Sequence, residues 1–578
     1  MVPALLVLLF AVSAPGTLPR SSLEPLFDGE AAEVLANTLA TQYPTRVPGT
    51  PEAEDAARWY EETVSSLGIP TTEDTWTEDL PDLGAVTLRN IVSVIAGRSQ
   101  ATIVLVAHRD NAGAERPLAD NATGTATLVE LARSFAPQEV GPDPQLQHTL
   151  VLVSTDGGAY GGAGAERFAA DSPLARAAVA AVVIDRPAGS GRPQIAVAGD
   201  GGASPARVLV RTALARLQDE VEAKPSLPSL ATQVVDLGMP FAGAEQGRLL
   251  GHAISAVTLT TNGDLDHAEA TDLQSAATAR RLEEMGQATE ALVDSVDASA
   301  GRAFQTPDSL FFGDQAVSGW AVRLTLVLLV VPIVLGVVDL VARARRRRLP
   351  LAPALRALRT RVLIWAFGGV LLAVGAAAGV FPTGADLPPP RFTSFVTKPP
   401  VGALAALSGF FALAWLVGRR RLVPDRAATG DERLAGLAAA LALLCAFAVT
   451  LAVAKPYALV FVLPSLYTWP WIPLDRTTWH GIVLFLAGFA GPAFGLVVLA
   501  RQVGLSLTHG ALYTSALATV GYIPLAAVLA AVVWIAAGAQ VAAITFGRYA
   551  PYAGGVERPP AGVLRRSGRR LLASLSRG

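Results

Sequence analysis

Long apolar runs dominate the second half of the chain and constrain its fold more than any other feature of the sequence. A helix crosses a bilayer with about 20 apolar residues, and each run is near or above that length. The runs cover residues 319–341, 361–381, 401–418, 434–454, 456–472, 481–500 and 511–547. The sequence therefore predicts an α-helical membrane domain of about seven helices over residues 317–547, although the last run is also long enough for two short helices.

Arginine clusters indicate which ends of these helices face the cytoplasm. They follow the first run at residues 343–348 and the third run at 419–421, and they recur near the C-terminus. The loop at 382–400, by contrast, has only two basic residues, Arg391 and Lys398. Basic loops stay on the cytoplasmic side of a membrane. We therefore expect a multi-pass protein of the cell membrane with a basic cytoplasmic tail at 548–578.

The first 20 residues have the character of an export segment. Ala4–Ala14 is an apolar stretch of eleven residues that ends in small side chains, as signal peptides do before their cleavage sites. The basic residues that normally precede such a stretch are missing. We expect residues 1–20 to be either an atypical signal peptide or the remnant of an N-terminal anchor, and both interpretations place residues 21–316 outside the cytoplasm.

Residues 21–316 show apolar β-branched runs that alternate with helix-like segments. This alternation predicts a three-layer α/β domain with a mixed, largely parallel sheet. The strand-like runs are Ala85–Val94, Ile103–Ala107, Thr149–Val153, Val179–Ile184 and Ala256–Thr260. The helix-like segments between and after them are Thr125–Phe135, Ala163–Ala170, Pro205–Leu217 and Leu273–Val296. Sites in such sheets form at the carboxyl ends of the strands.

Histidine and aspartate residues follow several of these strand-like runs. His108 and Asp110 end one run, Asp120 precedes a helix-like segment, Asp185 ends another run and His267 follows the last one. Nitrogen and oxygen ligands of this kind suit zinc. The single cysteine, Cys445, lies in an apolar run, which excludes a thiolate metal cluster. No basic stripe with interleaved aromatic residues occurs in this half, so we expect no nucleic-acid partner.

Six short motifs in order give the sequence a resemblance to a known family. They are RVPGTPEAEDAARWYEETVSSLGI, NIVSVIAG, AHRD, ADNATG, VIDR and, after the domain, PDSLFFGD. Residues 27–296 resemble the co-catalytic zinc aminopeptidases, which include leucyl aminopeptidases, aminopeptidase Y and the glutamate carboxypeptidase ectodomain. The coupling to a polytopic region is similar to the membrane-anchored branch of that family.

The resemblance implies a role for each of these residues. His108 matches a ligand of one zinc ion, and Asp110 matches the carboxylate that orients that histidine. Asp120 matches the carboxylate that bridges two zinc ions, Asp185 a further ligand of the first zinc, and His267 a ligand of the second.

The same resemblance exposes two missing glutamates. The family loop reads Asp-x-Glu-Glu, in which the first glutamate is the general base and the second a zinc ligand. The aligned residues here are Asp156-Gly157-Gly158-Ala159. The base position is thus occupied by Gly158 and the ligand position by Ala159. Because a positioned base contributes roughly 10²–10⁴-fold to a rate, we expect impaired catalysis, one zinc site and an incomplete second site.

Three functional hypotheses remain open from the sequence. The first is a membrane-tethered, aminopeptidase-like domain that no longer catalyses hydrolysis and acts by binding a peptide or protein ligand. The second is an active metallo-aminopeptidase whose base has moved to Asp156, Glu166 or Glu269. The third is a membrane carrier or assembly platform with a receptor-like ectodomain.

Two further features of the sequence bear on these hypotheses. The segment around Ala244-Glu245-Gln246 replaces a Ser-Asp-(His/Gln) element that shapes the family's substrate pocket, so substrate recognition is expected to differ as well. His148 and His252 match no ligand position and are expected at the surface.

Overall fold

The chain folds into an α/β domain followed by a helical region. The computed structural model describes residues 10–21, 24–113, 120–136, 146–189, 191–239, 241–261, 276–299, 301, 304–347, 349, 351–384, 387–423, 428–474 and 478–551. His267, Glu269, residues 1–9 and the basic tail beyond residue 551 lie outside these ranges.

A seven-stranded sheet organises the first half of the chain. Its strands are β2 (Thr71–Leu80), β3 (Gly84–Ile95), β4 (Ser99–His108), β5 (His148–Thr155), β6 (Ala178–Asp185), β7 (Gln194–Ala196) and β8 (Ala256–Thr260). Three short strands, β1 (Val12–Ser13), β9 (Leu310–Phe312) and β10 (Gln315–Val317), form a separate sheet. The sheet order is β2-β3-β5-β4-β6-β8-β7. The four central strands, β5, β4, β6 and β8, are parallel, and the strands outside them pair antiparallel.

Helices cover both faces of this sheet. They are α1 (Gly29–Gln42), α2 (Pro51–Ser65), α3 (Ala122–Phe135), α4 (Ala163–Asp171), α5 (Pro173–Arg176), α6 (Arg207–Glu220), α7 (Leu230–Gly238), α8 (Gln246–Gly251) and α9 (Ala276–Asp297). One core lies between the sheet and α1, α3, α6 and α9, and a second lies between the sheet and α4, α5 and α8. Strands buried on both faces have continuous apolar sequences, as β4, β5 and β6 do. The fold class predicted from the sequence is confirmed.

A small three-stranded sheet connects the N-terminal segment to the junction with the helical region. Val12 pairs with Val317 and Ser13 with Ala316, so β1 adds to the β9–β10 hairpin. The hairpin contains most of the PDSLFFGD motif. Residues 10–20 are therefore packed against the domain in this structure.

The second half of the chain is helical. Its helices are α10 (Gly319–Arg346), α11 (Ala352–Ala377), α12 (Ser394–Thr397), α13 (Val401–Leu422), α14 (Gly430–Ala454), α15 (Leu459–Thr468), α16 (Trp479–Ala487), α17 (Ala490–Gln502), α18 (Leu507–Thr519) and α19 (Leu525–Thr545). Among the described residues, five helices are long and apolar enough to cross a membrane, namely α10, α11, α13, α14 and α19. The α16–α17 pair, bent by 47°, makes a sixth candidate.

Two predicted spans differ in detail from the structure. Residues 511–547 contain two helices, α18 and α19, which is one of the two arrangements that the sequence allows. Residues 456–472 form the short helix α15 between two 3₁₀ turns, with Pro464 inside the helix and Pro456 and Pro470 in the turns. Because proline lacks the amide hydrogen that a helix interior needs, this segment does not form one long helix.

Candidate functional site

A cavity of about 310 Å³ lies at the carboxyl ends of the parallel strands, between the α/β domain and the helical region. This is the edge where parallel sheets place their sites. Helix α18 and the segment Leu387–Ser394, named here the covering segment, line the cavity from the helical side. The histidine, acidic and arginine residues that line the cavity are His108, Asp185, Arg186, Asp236, Glu245 and Arg391.

His108 and Asp110 lie together at the end of β4. The Nδ1 atom of His108 is 3.1 Å from the carbonyl oxygen of Asp110 and 3.3 Å from its Oδ1 atom. The Nε2 atom is 3.9 Å from Oδ1 of Asp185. Burial disfavours the charged imidazole, but hydrogen bonding to these two carboxylates outweighs it and raises the pKa of His108 well above its usual value. The structure thus brings three of the predicted site residues together.

Asp120 has a different set of partners. Its carboxylate pairs with the fully buried guanidinium of Arg46 and accepts hydrogen bonds from the Asn111 side chain at 3.1 Å and the Ala122 amide at 2.9 Å. The side chain of Arg46 also donates to the carbonyl oxygen of Arg109 at 2.7 Å. The arginine of the RVPG motif therefore neutralises the carboxylate that the resemblance assigns as a zinc bridge.

The loop at Asp156–Ala159 is held against His108 by Asp110. One carboxylate oxygen of Asp110 accepts from the Gly158 amide at 2.8 Å, and the other accepts from the Ala159 amide at 3.1 Å. A β-carbon placed on Gly158 would lie 2.2 Å from the β-carbon of His108 and 2.4 Å from its Cγ. Real side-chain atoms do not approach that closely, so this backbone has no room for any side chain at position 158.

Two of the three acids proposed as a relocated base, Asp156 and Glu166, have partners other than His108. Asp156 is buried and accepts from the amides of Gly157 and Arg89, at 2.9 and 3.3 Å. Burial raises the pKa of Asp156 to about 6, although nearby Arg109 opposes the shift. Glu166 receives a hydrogen bond at 2.7 Å from Nε2 of the exposed His252. The third candidate, Glu269, lies outside the described residues.

His148 is not a surface residue, contrary to the prediction from the sequence. It starts β5 at the end of the sheet opposite His108, it is buried, and its Nδ1 atom lies 3.2 Å from Oδ1 of Asp297. The backbone amide of His148 also donates to that carboxylate, at 2.7 Å. These partners are 149 residues apart in the sequence, so local sequence patterns could not predict the interaction.

Glu245 is a site residue that the sequence did not single out as an acid or base. It is buried against the cavity, where the Thr155 hydroxyl donates to its Oε1 atom at 2.5 Å. Its Oε2 atom is buried without a hydrogen-bond partner among the described residues. Burial raises the pKa of Glu245 to about 7, even though the neighbouring His108 opposes the shift. The only signal in the sequence was the altered Ala244-Glu245-Gln246 element.

Two arginines approach the cavity from opposite halves of the chain. Arg186 follows β6 with a positive φ of 45°. Its amide donates to Asn121 at 2.7 Å, and its carbonyl accepts from the Thr261 hydroxyl at 2.6 Å. Arg391 belongs to the covering segment. Burial, followed by the proximity of Arg186, lowers the pKa of Arg391.

The described residues do not complete a zinc site. Two zinc ligands are separated by roughly 3.4 Å, since two bonds of about 2.1 Å meet near the tetrahedral angle. The 3.9 Å between His108 and Asp185 is somewhat longer than that. In the described ranges no three His, Cys, Asp or Glu side chains are grouped to hold a metal ion. A catalytic zinc normally has three protein ligands, and the predicted ligand His267 lies outside those ranges.

Residues 90–240 match peptidase family M28. A search of curated proteins finds no match. A structural search finds similarity to a Bacteroides thetaiotaomicron glutaminyl cyclase, 14% identical with a TM-score of 0.37, covering 47% of this chain and 99% of that one. It also finds a Zn-dependent exopeptidase from Parabacteroides distasonis, 12% identical with a TM-score of 0.36, over 47% of this chain and 99% of that one. The family match confirms the predicted resemblance to zinc aminopeptidases.

Proposed function

We propose, from the match to peptidase family M28, that this protein is a membrane-tethered, aminopeptidase-like domain that acts by binding rather than by hydrolysis. The observation that carries the proposal is the position of Gly158. Its backbone lies in contact with His108 and is held there by Asp110. The position of the family's general base is therefore occupied by a glycine whose backbone contacts His108, and this glycine supplies no carboxylate.

The other requirements of a two-zinc peptidase are also poorly supplied. Ala159 has no ligand atom at the second glutamate position. The second metal ion would therefore have one protein ligand fewer than in the family, below the three that a catalytic zinc normally has. Zinc is the metal that the family match favours, and we expect at most one zinc ion per chain.

The helices that approach the domain support the membrane tether. The Tyr457 hydroxyl, at the start of residues 456–472, donates to the carbonyl of Asp308 at 2.9 Å. Further along, a β-carbon on Gly481 would lie 3.3 Å from Pro473 and 3.8 Å from Thr545, at the distant end of α19. These contacts support a crossing by residues 456–472, which would give seven crossings and leave the C-terminus in the cytoplasm.

The test is zinc content and peptidase turnover of the purified full chain. Aminoacyl-p-nitroanilides are suitable substrates because their hydrolysis is coloured and needs little pocket specificity. We expect no more than one zinc ion per chain and no zinc-dependent turnover. Two bound zinc ions with zinc-dependent turnover that Asp120→Asn abolishes would refute the proposal.

Glu245 supports a second candidate function, an active hydrolase with a relocated base. Glu245 lines the same cavity as His108, and its Oε2 atom has no hydrogen-bond partner among the described residues. Its pKa of about 7 suits a general base near neutral pH. If this candidate is correct, the wild-type chain hydrolyses aminoacyl substrates and Glu245→Gln lowers kcat by a factor of roughly 10²–10⁴. Glu166→Gln is the matched control, since its carboxylate pairs with His252 at the surface.

A further inference from the structure

The covering segment is attached to both halves of the chain. The Tyr513 hydroxyl of α18 donates to the carbonyl of Pro389 at 2.8 Å. On the opposite side, the Ser394 amide donates to Asp82 at 2.6 Å, and Phe392 stacks edge-on against Tyr160 with ring centres 5.5 Å apart. The segment is therefore a fixed wall of the cavity.

This wall places a cation in the cavity of the α/β domain. Arg391 is half-buried and lines the cavity, and in the described part of the chain its guanidinium forms neither a hydrogen bond nor an ion pair. Partly buried guanidinium groups normally have an anionic or carbonyl partner. The guanidinium of Arg391 is therefore available to an anion that enters the cavity.

Arg186 supplies the second cation from the domain side. Its side chain is 13% exposed, lines the cavity and forms an ion pair with Asp185, with Nε 3.8 Å from Oδ1. Its left-handed backbone is unfavourable for a side chain of this size. The Arg186 amide donates to Asn121 and its carbonyl accepts from Thr261, and these two bonds hold the backbone there. Strain that the surroundings maintain often marks a functional position.

We propose that Arg186 and Arg391 together form a subsite for the carboxylate of a small ligand, so that the membrane half contributes directly to binding. The planar guanidinium group matches a carboxylate in a two-point fashion. Asp185 and Glu245 share the cavity and disfavour a doubly charged phosphate, which leaves a singly charged carboxylate as the better partner.

The size and lining of the cavity narrow the ligand further. Ligand pockets span about 300–1,000 Å³, so a cavity of about 310 Å³ suits a single amino acid or a dipeptide and excludes a folded polypeptide. Phe241, Phe392 and Val503 provide apolar surface beside the two arginines. An apolar amino acid or dipeptide with a free carboxylate fits this combination.

This inference rests on the proposal that the domain acts by binding, and calorimetry on the full chain tests it separately from turnover. The probes are N-acetylphenylalanine, its C-terminal amide and inorganic phosphate. We expect the acid to bind and the amide to bind about tenfold to a hundredfold more weakly, as loss of a charged hydrogen bond predicts. Arg391→Gln should weaken acid binding to the same extent.

Lys398→Gln is the matched control because it removes the same charge from an exposed position seven residues along the same loop. It should bind the acid as the wild type does. Equal affinity for acid and amide, unchanged acid binding by Arg391→Gln, binding of phosphate alone, or no binding of any probe would each overturn the inference. The comparison of acid and amide binding uses only the wild-type protein. It therefore tests the inference even if Arg391→Gln misfolds. Peptidase turnover, which would refute the proposed function, would leave this comparison unaffected.

Discussion

The backbone of Gly158 lies against the side chain of His108, and a β-carbon on Gly158 would be only 2.2 Å from the β-carbon of His108. Position 158 therefore has no room for a side chain. We expect Gly158→Ala to destabilise the protein by about 1–3 kcal/mol, the usual penalty of overpacking, as measured by chemical denaturation of the purified chain. Gly402→Ala is the control, because nothing lies within 4 Å of its β-carbon and alanine favours helices. Equal stability of Gly158→Ala and wild type would contradict the close contact.

The same contact predicts that the family motif cannot be restored by substitution alone. Gly158→Glu with Ala159→Glu adds back the two missing carboxylates, but the first must displace the loop from His108 or break the Asp110 bonds to the loop amides. We expect no zinc-dependent turnover from the double variant and a lower thermal midpoint. A gain of activity would mean that the loop adjusts freely.

The fully buried Arg46 forms an ion pair with the partly buried Asp120, and we expect the role of this pair to be structural. Arg46→Met leaves the Asp120 carboxylate and three backbone carbonyls without their donor. Breaking one side of a buried pair costs about 3–5 kcal/mol, which equilibrium unfolding can measure. The exposed Arg58–Asp55 pair provides the comparison, since Arg58→Met should cost less than about 1 kcal/mol. Similar losses at both sites would argue against a structural role for Arg46.

Asp236 makes the contact between the two halves sensitive to pH. It is buried, accepts a hydrogen bond at 2.7 Å from Gln502, and burial raises its pKa to about 7. Because the folded pKa lies above the unfolded value of 3.8, the folded protein holds this proton more tightly. Stability is therefore unaffected by this group below pH 4 and falls as the pH rises towards 7.

The test is the pH dependence of the thermal midpoint in Asp236→Asn. The amide can still accept from Gln502 and does not ionise, so we expect the variant to exceed wild type in stability at pH 8 and to approach it at pH 4. Asp55→Asn, at an exposed position, should differ from wild type by the same small amount at both pH values. A variant that is less stable than wild type at both pH values would contradict the assigned cause.

Asp82 anchors the covering segment through its bond to the Ser394 amide. Asp82 has a φ of 68°, so Asp82→Gly removes the carboxylate without straining the turn. We expect amide hydrogen exchange at residues 391–398 to accelerate by about tenfold to a hundredfold, as loss of a charged hydrogen bond implies. Exchange in the central strands should not change. Unaltered exchange in 391–398 would show that other contacts hold the segment.

The central strands were predictable because burial on both faces gives them continuous apolar sequences, as in Val104–Ala107. Strand β2 was missed because it is an edge strand whose charged residues, such as Glu73 and Asp74, hide any alternation. Its identity depends on pairing with β3 along its whole length.

Much of the site depends on tertiary contacts that no local pattern encodes. The motifs located His108 and Asp185, but the partner of Asp120 is Arg46, which lies 74 residues away. The burial of Glu245 and the entry of Arg391 into the cavity both follow from packing of distant segments. Arg391 in particular lies in a loop between two membrane-helix candidates, where sequence reasoning counted it only as a charge for topology.

The central claim, that this domain binds without hydrolysing, is tested most directly by turnover of aminoacyl-p-nitroanilides. Wild type, Asp120→Asn and Glu245→Gln would be purified as full chains, supplied with zinc and compared with a zinc-free sample, with thermal midpoints to verify folding. The account predicts the same background rate for all three proteins with and without zinc. Zinc-dependent turnover by wild type that either variant abolishes would contradict it.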